Sequence, residues 1–70
     1  MLLAPPAPVT DPSVDSAVHR LSGEFATRLD RTTVVRVVET AREQLRGSPA
    51  DALPELVERL ARHRLADALA

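Results

Sequence analysis

Apolar positions return every three or four residues from Val14 almost to the end of the chain, and polar residues punctuate them in three places. Val14, Val18, Leu21, Phe25 and Leu29 form the stripe of a first helix, with Ala17 and Ala26 beside it and Gly23 on the opposite, solvent face. Asp11 offers a side-chain oxygen to the free N–H groups at its start, and Pro12 loses nothing at the first helical position. Asp30 is the next cap, so the turn before a second helix over about Arg31 to Arg46 is very short. Short connections make consecutive helices neighbours, antiparallel or sharply crossed. Gly47 suits the left-handed residue that ends a helix, and Ser48-Pro49 stops it from continuing. Asp51 is the expected cap of a third helix, with Pro54 in its first turn. Leu53, Leu56, Val57 and Leu60 carry the core stripe onward. Beyond Leu60 the pattern drifts: Arg64 sits near the seam, while Ala61, Leu65, Ala68 and Leu69 form a rotated second strip. The pattern predicts an all-α three-helix bundle over residues 11–70. Residues 1–10, rich in Pro and Ala and without periodicity, read as a flexible tail.

The second helix is the most apolar in its outline. Val34, Val38, Ala41 and Leu45 fall on one line, flanked on either side by Val35 and Val37. That arc is roughly 160° wide, against about 100° for an ordinary core-facing helix. Part of it is expected to face water in a monomer. Val35 and Val37, with Leu65 and Leu69 of the drifted strip, are therefore the expected association surface. Arg64 is expected to meet a carboxylate across it.

Composition sharpens this expectation. The chain has 70 residues and a mass of 7.6 kDa, room for one domain at most. A domain this small leaves much of its unfolded surface exposed and is marginal alone, unless disulfides, a metal or self-association support it. There is no cysteine, and the two histidines, His19 and His63, lie far apart. Self-association is what remains. Phe25 is the sole aromatic residue, so the core must come from Leu, Val and Ala, and stacking of bases on aromatic platforms is excluded. All nine basic residues are Arg, which with the abundant Ala indicates a GC-rich, bacterial coding bias. Met1 to Ala4 is too short for a signal sequence, and no apolar run reaches the roughly 18 residues of a membrane span, so a cytoplasmic location is expected.

Catalytic chemistry finds no purchase. Without cysteine there is no thiolate nucleophile. Ser16 or Ser22 with His19 and an Asp lies on a polar helix face without a glycine elbow or oxyanion loop. Gly23 and Gly47 make no phosphate-binding pattern. Glu55, Glu58 and His63 invite a metal, but a structural site needs four ligands, and Glu55–Arg59 and Glu58–Arg62 read better as i,i+4 ion pairs. No cofactor is implied, and the chain is expected not to be an enzyme. A net charge of −1 gives no global attraction to nucleic acid or anionic lipid. A helix-turn-helix outline with Arg28, Arg31, Arg36, Arg42 and Arg46 on phosphates is the alternative, although Glu39 and Glu43 interrupt that face.

Three runs, Val18-His19-Arg20-Leu21-Ser22-Gly23-Glu24-Phe25, Thr33-Val34-Val35-Arg36-Val37-Val38 and Leu53-Pro54-Glu55-Leu56-Val57-Glu58-Arg59-Leu60-Ala61-Arg62, give the chain a family likeness. It resembles the three-helix bundle domain of GC-rich bacteria that stands alone or precedes low-molecular-weight tyrosine phosphatase-like arsenate reductases. The resemblance covers residues 11–69 and implies dimerisation with no activity of its own. The phosphatase-like half is missing, so none of its chemistry carries over. The expected partners are a second copy or a related helical domain, with a heteromeric adaptor for such a reductase as the variant reading.

Overall fold

In a computed structural model, which describes residues 11–70, the chain forms helices α1 (Pro12–Glu24), α2 (Arg31–Gln44) and α3 (Leu53–Leu69), with no strand among the described residues. The expected tail lies outside the described residues. Two of the three starts follow the sequence. Asp11 accepts a hydrogen bond from the Ser13 N–H at 3.0 Å, and Asp30 accepts one from the Thr33 N–H at 2.9 Å. The third does not. The Ala52 N–H bonds to the Pro49 carbonyl, which places Asp51 inside a turn and one residue too early to cap. Ala52 takes the cap position with no side-chain bond, and Asp51 stays exposed.

The first helix also ends earlier than its stripe suggests. Phe25 leaves helical geometry, yet the Leu29 N–H returns to the Phe25 carbonyl at 2.9 Å. That single turn preserves the four-residue spacing, so Leu29 still packs on the core from a connection that spans residues 25–30. After α2, the Ser48 N–H closes on the Leu45 carbonyl, and Gly47 takes φ +93°. The left-handed residue is the predicted one, placed slightly beyond the helix end.

Ion pairs fix the relative directions. Asp11, at the head of α1, accepts from Nε of Arg42 near the end of α2 at 2.7 Å, so α1 and α2 are antiparallel. Glu24 and Arg62 are bonded at 3.0 Å and Arg20 lies 3.6 Å from Glu58, both pairs joining residues 38 apart. Matching offsets of this kind make α1 and α3 parallel. The bundle is up-down-up, and α2 runs against both neighbours.

Ten apolar side chains are buried at its centre: Ala17, Val18, Leu21 and Phe25 from α1 and its end, Val34, Val38 and Ala41 from α2, and Val57, Ala61 and Leu65 from α3. Each helix contributes one alanine, and these small side chains let the helices pack closely around a core whose single aromatic is Phe25. Leu21, Leu65, Val34, Val38 and Val57 are wholly enclosed. Each contributes about 1.5–3 kcal/mol relative to exposure. One polar atom is out of place: Ser22 Oγ, on α1, is buried without a hydrogen-bond partner among the described residues. Ser22→Ala removes that orphan hydroxyl and is expected to raise stability by up to about 1 kcal/mol in urea unfolding. A loss of stability would mean the hydroxyl has a partner.

The caps and ion pairs also set the acid response. The Ser13 hydroxyl, then Arg42, holds the Asp11 carboxyl below its ordinary range, and Arg62 does the same for Glu24. Asp30 is lowered by Thr33. A carboxylate whose folded pKa is depressed stabilises the fold fully above its unfolded pKa and ceases to do so as pH falls through the folded value. The melting temperature is therefore expected to be flat above about pH 5 and to fall below about pH 4. Asp11→Asn with Glu24→Gln is expected to flatten that fall, which thermal melts between pH 2 and pH 7 check.

Candidate association surface

Helical geometry divides the surplus apolar residues of α2. Val35 lies within about 20° of Arg42 around the helix, and Arg42 reaches α1 through Asp11. Val35 thus belongs to the flank beside α1. Val37 lies about 160° away, on the flank beside α3. Both are half-buried against the core, so the wide arc of α2 is largely covered by its own neighbours. The two valines do not share a patch.

The remaining expected surface residues separate as well. Leu65 is not on the surface: it is fully enclosed, because Val57, Ala61 and Leu65 recur every four residues and form the core line of α3. Of the strip read as a drift, Ala61 and Leu65 are core, while Ala68 and Leu69 are exposed. Leu69 is 36% exposed in the last turn, on the side of α3 that carries Glu58 and Arg62 toward α1. Arg64 is half-buried on the flank of α3 toward α2. Of the five predicted residues, the fold therefore brings together Val37 and Arg64.

Residues assigned to the core complete that surface instead. Leu53, Leu56 and Leu60 recur at i, i+3 and i+7 and make a second apolar stripe on α3, next to the core line. All three are half-buried; Leu53 and Leu60 pack on the core, while Leu56 is outside the set that does. With Val37 they line the open side of the α2–α3 seam. The sequence shows both spacings over residues 53–65 but not which of the two stripes is buried.

Elsewhere the surface is occupied by ion pairs. Glu55 is bonded to Arg59 at 3.0 Å, and Glu58 is held between Arg20 and Arg62. His63 is exposed beside Asp67 at 3.8 Å, so Glu55, Glu58 and His63 do not converge, and no group of three metal-ligating side chains occurs among the described residues. A shallow groove between α1 and α3, lined by Ser16, Arg20, Pro54, Glu55 and Glu58, holds these paired charges. Of the arginines set against DNA, Arg42 is engaged by Asp11 and Arg46 by Glu43. No helix among the described residues is long and apolar enough to cross a membrane. No family model, curated protein or solved structure matches the chain.

Proposed function

We infer that this bundle is a non-catalytic association module, and that its partner surface is the open side of the α2–α3 seam. The observation that carries the reading is Leu56: a partly exposed leucine beside Leu53, Leu60 and Val37, which the bundle's own core does not use. Covering such a stripe removes apolar area from water and adds stability to a small fold that no disulfide supports. A second copy is the simplest cover, because a two-fold axis lets one stripe meet itself. The likeness to stand-alone bacterial dimerisation bundles points the same way. So does the cytoplasmic, bacterial setting suggested by an arginine-only, cysteine-free composition.

Light scattering behind size-exclusion chromatography, over a wide concentration range, tests it. The expected mass is near twice 7.6 kDa and falls on dilution. A folded monomer at every concentration would remove the homodimer and leave a related helical domain, such as that of a reductase partner, as the occupant. The DNA-binding reading has lost Arg42 and Arg46 to intramolecular pairs and retains Arg28, Arg31 and Arg36. Retention of duplex DNA at low salt, lost steeply as salt rises, would restore it.

A further inference from the structure

The charges around the seam carry the association reading further, to the geometry of the dimer; this step rests on that reading. Three arginines are half-buried: Arg42, Arg62 and Arg64. Arg42 is bonded to Asp11, and Arg62 to Glu24 and Glu58. Arg64 alone of the three has no carboxylate partner among the described residues. At the other end of the same seam, Asp51 is exposed, caps nothing and pairs with nothing among the described residues. An orphaned cation in the second half of α3 and an orphaned anion in the turn before it thus stand apart along the same seam.

They cannot meet within one chain. The eleven helical steps from Leu53 to Arg64 alone span about 16 Å along the axis, about twice the reach of an arginine side chain. The midpoint between them falls at about residue 57, beside Leu56 and inside the Leu53–Leu56–Leu60 stripe. A two-fold axis lying in the interface beside α3 at that level, perpendicular to the helix, would set the stripe against itself and carry each Arg64 toward the other copy's Asp51. A parallel arrangement would instead set Arg64 against Arg64 and Asp51 against Asp51. Like charges facing each other at an interface oppose association.

We propose that the seam is covered by a second copy running antiparallel, α3 against α3, with Arg64 of each copy paired to Asp51 of the other.

The test is a charge exchange read by dilution in light scattering, with circular dichroism as the control for folding. Arg64→Asp and Asp51→Arg, each alone, place two like-charge contacts in the dimer and are expected to raise its dissociation constant about tenfold or more. The double variant, R64D with D51R, restores both pairs and is expected to return within about threefold of the original. Wild-type affinity should weaken with salt, because the pairs sit at the rim. A dimer indifferent to both reversals, or a double variant no better than the singles, would overturn the antiparallel pairing while leaving the association surface standing. A wild-type chain that never dimerises overturns the surface reading itself. Should a reversal disturb folding, R64Q and D51N decide: each must weaken the dimer at low salt and blunt its salt dependence, and unchanged behaviour counts against the proposal.

Discussion

Leu56→Glu is expected to dissociate the proposed dimer while leaving the monomer folded. Leu56 is half-buried in the single chain, so association gains only the remaining part of its burial, about 1 kcal/mol per copy. A two-fold interface counts that loss twice. The substitution also brings two carboxylates toward a shared apolar stripe, and desolvating them costs more than the lost burial. Together these exceed about 4 kcal/mol and raise the dissociation constant on the order of 1,000-fold, since each 1.4 kcal/mol is about a factor of ten. The fold should survive, because Leu56 lies outside the side chains packed on the core and glutamate is a good helix former. Light scattering across dilution measures the first effect and the helical circular dichroism signal the second. A dimer of unchanged affinity would place the interface elsewhere, and a collapsed helical signal would show that Leu56 serves the core after all.

The sequence was most legible where a local rule and the tertiary fold agree. Asp11 and Asp30 cap as read, because an aspartate before a helical run has one good use for its side chain. The stripes of α1 and α2 point to their core residues, since one period explains every buried apolar position on them; buried Ser13 lies off the stripe. Legibility failed where two local patterns compete. At Asp51 the turn closed by Pro49 and Ala52 outranks the cap, and nothing in the residue types shows which hydrogen bond wins. On α3, the 53–56–60 and 57–61–65 spacings both describe a helix face. Only the positions of α1 and α2 decide which face is buried. The same choice fixes the surface, so assigning Leu65 outward and Leu56 inward was one error with two consequences. For Val35 and Val37 the width of the apolar arc was read correctly, but a helix flanked on both sides by neighbours covers such an arc without a partner.

Leu65→Ala tests that assignment from the other side, and its effect should be large. Leu65 is wholly enclosed on the core line with Val57 and Ala61. Replacing an enclosed leucine by alanine loses its transfer energy and leaves a cavity, at a cost of about 2–5 kcal/mol. A chain of this length has roughly 3–10 kcal/mol in total to lose. Urea unfolding should show at least half of a low-end stability gone, and the melting temperature should drop by about 10 °C or more. The discriminating feature is concentration. A core residue lowers stability by a similar amount in dilute and concentrated samples, whereas an interface residue matters where the dimer is populated and fades as it dissociates. A melting temperature depressed equally across a hundredfold dilution series fits the enclosed position. A small drop confined to concentrated samples, with a weakened dimer, would return Leu65 to the partner surface and require α3 to be rotated about its axis. In that rotated helix Leu53, Leu56 and Leu60 would become the core, and Arg64 would lose its place at the seam.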